Sequence, residues 1–470
     1  MQVLSAAEAF WLLLAALCAL PLALAVCWQL PRQVSLGFVA LLFLFSSSTW
    51  GQIDADNTLY ARGTGLFYFS LINILLWVAA TAAASRRLIT TQRMPARSPF
   101  AGFFFAFAFM MMAHLTVGLM AGQDGLVILG YSGLINVLNM LVFCHLLTST
   151  VSGEQGQRSL LQLMLGLAAL RALFGMARYV FWGGDSANPY RNFENLDIRI
   201  FYFDIADNFV AALAAFCIAW LLLMPNVRLA MWKRLLLFAL LALEIAAVAL
   251  SFRRSSLIGL ALMFLVLLWQ LPWQRRLQCM GLGALALVAT AMVFMQQRLQ
   301  FNSDSGGFLD ALLYDVGPAR TTEVSRFYEL EAAAHSLDGN WLFGLGSWGR
   351  FYGNEEILDY HFGKFDFVHS GFGHLILKSG FAGLLLFLAL LASFVVHVLR
   401  TRPRLGGNSA LLADAGLAAL LFWMPTLLVG TPVIEFRTML LIGLGLALPY
   451  LAQSRHQQRA HNSAHAYAAA

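Results

Sequence analysis

The run Ser251-Phe252-Arg253-Arg254-Ser255-Ser256 puts two adjacent arginines between two long apolar stretches. A guanidinium near the hydrocarbon boundary needs a partner, and its planar fork of donors suits a phosphate bidentately. The alternative is a pair of snorkelling arginines that anchor helix ends. Arg326 lies in a polar stretch near Glu323 and Glu329. Alone it reads as a solvated partner of either acid. The segment from Asn340 to Tyr352 carries Gly344, Gly346, Trp348 and Arg350. Its glycines permit tight turns and close backbone approach, and its aromatic rings suit a membrane interface or the faces of sugars. It does not follow a strand and open a helix, so it is not a dinucleotide fingerprint. Last comes Val368-His369-Ser370-Gly371, at the mouth of another apolar stretch. A histidine there can serve as acid, base or phosphate ligand near neutral pH, or can be an interfacial residue satisfied by backbone.

Other polar groups fall inside apolar stretches. Arg171 and Arg178 stand seven positions apart on one helix face, and Glu244 lies mid-span. Such groups are costly in lipid and turn toward the bundle interior. The expectation is a structural Arg171–Glu244 pair, with Arg178, nearer the span's end, as the weaker ligand-binding candidate. His114, His145 and His374 read as packed polar residues. The polar stretch lacks a compact set of acidic and histidine ligands at metal spacing, so neither a metal nor another cofactor is expected, although Asp304, Asp310, Asp315 and the Glu355-Glu356 pair keep the metal question open.

The elements that must position these residues are membrane helices. The chain is 60% hydrophobic and only 11% charged, with a mean hydropathy of +0.72, too little charge to cover a soluble surface of this size. About thirteen apolar spans are read, at 9–30, 35–50, 66–84, 100–122, 125–148, 159–182, 208–224, 235–251, 256–271, 278–296, 372–399, 409–429 and 436–452. Arg86, Arg87, Arg93 and Arg97 share one connection; Arg228, Lys233 and Arg234 share another. Arg275 with Arg276, the stretch from Arg400 to Arg404, and Arg455 with Arg459 complete a single-sided set, which marks the cytoplasmic side. The net charge of +6 is thus a topological signal and not one for nucleic acid. The five cysteines show no metal-like spacing. The organisation expected is an N-terminal bundle over 1–296, a large external loop over 297–369, and C-terminal helices with a short tail over 370–470. The loop holds nearly half of the 24 acidic residues, and Val324, Phe327, Leu330 and Ala334 recur in it at helical spacing after Pro318.

Taken in order, these pieces resemble the O-antigen ligase and polysaccharide polymerase superfamily of bacterial membrane glycosyltransferases, over roughly residues 235–400. A span ends in a Ser-x-x-Arg-like element, here Ser251 to Arg254; a large loop carries Arg326 ahead of Gly344-Leu345-Gly346; His369-Ser370 then leads to Gly380-Phe381-Ala382-Gly383. Lys378 departs from the pattern, standing where such proteins often have an acidic residue, and the doubled arginine leaves two choices, of which Arg254 is favoured. The resemblance implies an all-α, GT-C-like bundle of about 12–13 spans in the bacterial inner membrane, with its loop and active site in the periplasm. It implies a metal-independent, inverting transfer of a glycan from an undecaprenyl diphosphate carrier to a lipid A-core sugar or to another lipid-linked glycan. His369, Arg326 and Arg254 would be catalytic, and Arg253, Arg178, Gly344, Gly346, Trp348, Arg350 and Ser370 would line the substrate. The rival expectation is a lipid-linked oligosaccharide flippase, against which stands the lack of an internal repeat.

Overall fold

The computed structural model describes residues 19–45, 69–91, 99–151, 153–182, 204–224, 230–251, 253–281, 321–352 and 364–451. In lipid every backbone amide must be satisfied within its own segment, so the apolar stretches coil, and the fold is an all-α membrane bundle. Its helices are α1 (Ala19–Gln29), α2 (Pro31–Leu44), α3 (Leu71–Thr91), α4 (Ala101–Met120), α5 (Gly125–Ile128), α6 (Ile135–Thr150), α7 (Gly153–Phe181), α8 (Ile205–Leu223), α9 (Met231–Leu250), α10 (Arg254–Gln270), α11 (273–281), α12 (Thr321–Ser336), α13 (Gly371–Thr401), α14 (Gly407–Val429) and α15 (Phe436–Leu451). Two short strands, β1 (Phe351–Tyr352) and β2 (Lys364–Phe365), pair antiparallel in the loop.

Six of the described helices are long and apolar enough to cross a membrane, and α1 with α2 make a seventh span if taken as one. That pair is bent by 107°, and Pro31 opens the second helix, where its missing N–H costs nothing. The expected spans 9–30 and 35–50 therefore meet in one sharp break. The expected 125–148 span is also divided: α5 is four residues long, and turns separate it from α6. Most of the expected 278–296 span lies outside the described residues.

Helix α8 is the centre of the bundle, with 83% of its apolar window buried. Its alanines at 206, 211, 212, 214, 215 and 219 are all buried and let neighbouring helices approach closely. By contrast α4 is only 17% buried and turns Phe105, Phe109 and Met120 outward, as a lipid-facing helix does.

Short connections fix which helix ends lie together. The ends of α7, α9 and α14 meet the starts of α8, α10, α13 and α15: Asn208 of α8 donates to Ser256 of α10 at 3.0 Å, and Gly371 packs on Leu427. At the opposite end Arg402 pairs with Asp414 at 2.5 Å, and Trp220 donates to the same carboxylate at 2.9 Å. Arg276 there donates to the carbonyls of Leu268, Trp269 and Leu271.

Candidate active site

The loop helix α12 is seated by a small core of its own. Ala333 packs with Phe351, Val368 and Leu377, and Leu330, Leu345 and Phe365 close around them. Val368 is thus pinned one residue before His369, and Leu330 one residue after Glu329. The two side chains between these pins meet: His369 Nδ1 lies 3.0 and 3.1 Å from the two carboxylate oxygens of Glu329. A carboxylate can only accept, so Nδ1 carries the hydrogen and Nε2 of the neutral ring keeps its lone pair. The imidazole is 48% exposed while Glu329 is 15% exposed, so the acid is the supported partner and the ring faces open space. Phe367 meets the ring edge-on at 5.2 Å.

Glu329, which sequence reasoning assigned elsewhere as a partner of Arg326, is the acid that the structure brings to His369. Arg326 lies three positions earlier on the same helix, a spacing that places both on one face. Its side chain lies outside the described residues. Arg254 is the first residue of α10 and Arg253 the residue before it, so both stand at the positive end of a helix dipole. Both are half-buried at the same bundle end as His369. Arg178 lies in the last turn of α7, at that end too.

The remaining expected substrate residues have packing duties. The Ser370 hydroxyl caps α13, accepting from the Gly373 amide at 3.1 Å. Helix α13 breaks at Gly380 (φ 62°), and the segment 341–345 fills the break. Phe381 N donates to Trp341 O at 2.8 Å, Ala382 N to Leu342 O at 3.0 Å, and Leu345 N to Leu377 O at 2.8 Å. Gly344 (φ +70°) crosses Gly380 so closely that a Cβ on either would collide with the other segment's backbone. Gly346 leaves room for the Trp348 ring, which packs on His114 at 6.1 Å. Lys378, the departure from the family pattern, is fully buried and donates to Gly349 O at 2.6 Å, a second tie between loop and helix. Arg350, next in the chain, is exposed.

Beneath the dyad runs a charge network that the sequence reading missed. Arg437 is buried completely and reaches Asp204 at 3.0 and 3.1 Å, Asp207 at 2.7 Å and the Leu42 carbonyl at 2.9 Å. The expected Arg171–Glu244 pair does not form. Arg171 bonds Asp207 at 2.9 Å instead, because Asp207 stands one turn into the adjoining helix. Glu244 is buried with neither carboxylate oxygen hydrogen-bonded. Glu435 borders the network and accepts from Thr438 at 2.5 Å. Burial of its carboxyl group at the bundle end raises its pKa, and Asp204 adds to the rise while Thr438, Arg253 and Arg437 oppose it. The available signal was Arg437 itself, a charge inside an apolar span.

His114 and His374 are packed as expected, bonded to Ser347 at 3.0 Å and to the Ser132 carbonyl at 2.8 Å. Among the described residues no three His, Cys, Asp or Glu side chains are grouped to hold a metal ion. Asp304, Asp310, Asp315, Glu355 and Glu356 lie outside the described residues.

Residues 236–388 match the family model described as O-antigen ligase, which bears out the resemblance drawn from the ordered motifs. The matched segment is about a third of the chain and contains most of α9, all of α10, the dyad and more than half of α13. It indicates membrane glycan transfer of the O-antigen ligase or polymerase type. No curated protein matches the chain significantly.

Proposed function

We propose, from the premise that residues 236–388 form an O-antigen ligase segment, that this chain transfers or polymerises a glycan carried on undecaprenyl diphosphate, at the periplasmic face of the inner membrane. The observation that carries the reading is the His369–Glu329 pair, a half-open imidazole backed by a carboxylate at the end of a membrane bundle. In this mechanism an acceptor hydroxyl gives its proton to Nε2 of His369 as its oxygen attacks the donor sugar. The bond from that sugar to the diphosphate breaks, and the lipid diphosphate leaves with the electron pair. Glu329 holds the ring and stabilises the imidazolium that forms. The leaving group needs positive charge more than covalent chemistry, and Arg254 with Arg326 supply it, in a setting of low dielectric where such contacts are strong. Arg253 and Arg178 widen the same basic rim. The polyprenyl tail lies among the apolar helices, and lipid A-core or a growing glycan is the acceptor.

The sidedness rests on the basic residues at the end away from the dyad: Arg86 and Arg87 of α3, Lys233 and Arg234 of α9, Arg275 and Arg276 of α11, and Arg400 to Arg404. That end is then cytoplasmic. The test is the surface-glycan profile of a deletion strain. Loss of a ligase leaves polymerised glycan on its lipid carrier, loss of a polymerase leaves single units, and loss of a flippase leaves units trapped inside. Wild-type protein should restore the profile and stably expressed His369→Ala should not. Purified enzyme should also keep its activity in EDTA; revival by magnesium or manganese after loss would overturn the metal-independent form of the proposal.

A further inference from the structure

The Gly-x-Gly segment divides into an inward and an outward half. Gly346, Ser347 and Gly349 are buried, and Trp348 turns in against His114. Trp341, Leu342 and Phe343, just before them, are 42, 59 and 67% exposed. Nothing in water favours three consecutive large apolar side chains held outward by a rigid turn. The turn is rigid because the break at Gly380 frees backbone groups of α13, and residues 341, 342 and 345 take them up. Trp341 also stacks on Phe381 at 5.9 Å.

The level of this tip along the bundle can be measured. Between Lys378 and Arg400 the chain has 21 residues with no Asp, Glu, Lys or Arg. At about 1.5 Å per residue that is about 32 Å, close to the ~30 Å hydrocarbon thickness of a bilayer. Phe381, and Trp341 stacked on it, therefore stand at the hydrocarbon margin on the dyad's side. Lys378 lies one turn toward water, and through Gly349 it holds the exposed Arg350 at headgroup height. Other exposed aromatics gather at helix ends: Phe181 and Trp182 end α7 on the dyad's side, and Trp232, Trp269 and Trp273 lie at the opposite end. These are the two aromatic belts of a membrane protein.

We propose that residues 341–350 are a bilayer anchor: Trp341, Leu342 and Phe343 sit in the lipid interface on the dyad's side, and Arg350 meets phospholipid headgroup phosphates. The occupant of this face is phospholipid, and the anchor holds whatever reaction the chain performs. Its consequence for the site is positional, because α12 ends at Ser336, five residues before Trp341. The helix that carries Glu329 is thereby tied to the membrane surface and cannot rise from it freely.

The test is photo-cross-linking in liposomes of phosphatidylethanolamine and phosphatidylglycerol, with benzoylphenylalanine replacing Phe343, a near-isosteric change, or Glu331, an exposed position on α12. Intact-mass measurement should show lipid adducts at position 343 several-fold above those at position 331. Equal, low yields at both positions would overturn the anchor. Adducts at 343 to another protein chain, with none to lipid, would overturn it equally. The readout needs no glycan substrate, so its failure is separate from failure of the glycosyltransferase reading.

Discussion

Arg437 spreads its guanidinium over Asp204, Asp207 and a backbone carbonyl with no side-chain surface left exposed, whereas His369 shares one carboxylate and leaves almost half of its ring open. Both pairings stand at the same end of the bundle. The first satisfies its charges so completely that little capacity remains for a ligand; it fixes helices. The second uses one ring nitrogen for support and leaves the other for chemistry. Burial and saturation of donors thus separate the charges that fix the scaffold from those left open to a ligand, although by residue type alone the two look alike.

The sharpest way to break the comparison is to remove the imidazole. His369→Ala should lower turnover by roughly 10²–10⁴ with folding retained, as expected for loss of a general base. Unchanged turnover in folded protein would leave only an arginine-lined diphosphate site, which a transporter could own. Arg437→Ala should act on the other side of the comparison. It leaves two buried carboxylates short of a partner, and a loss of about 3–5 kcal/mol is expected. Chemical unfolding in detergent reads this, and a variant of wild-type stability would mean that the network is not what holds α8 to α15. Next come Arg254→Lys and Arg326→Lys, which keep charge but lose the bidentate fork. Each should cost on the order of tenfold in turnover. Arg253→Ala should be milder; the reverse order would exchange the roles of the neighbours. The smallest effect is expected for Glu329→Gln. The amide oxygen still accepts from Nδ1 while the charge is gone, so turnover should fall roughly three- to tenfold. A loss as large as that of His369→Ala would make the carboxylate an equal participant.

Much of this was legible in the chain. Hydropathy announced the helices, and the order of Arg254, Arg326, Gly344-Leu345-Gly346 and His369 announced the kind of site. The breaks were not legible: a proline between two apolar runs reads as a loop between spans, and only the 107° bend shows that α1 and α2 meet directly. Glu329 escaped because its partner is 40 positions away, while Arg326 offered an acid–base pair within one turn. Arg437 escaped because one charge barely lowers the mean hydropathy of a span. Arg171 was given to Glu244 because both lay mid-span, whereas Asp207 sat just outside the drawn boundary at 208. The Gly-x-Gly segment's duties were hidden for a further reason. A glycine needed for backbone crossing and one needed for ligand approach look the same in sequence.

The buried network also has a history in time. The ribosome delivers Asp204 and Asp207 to the membrane more than 200 residues before it delivers Arg437. Arg171, which bonds Asp207 in the finished bundle, is already in place by then. The two carboxylates of α8 therefore gain their shared arginine only when α15 is inserted, so the packing of α8 against α15 is a late step in assembly.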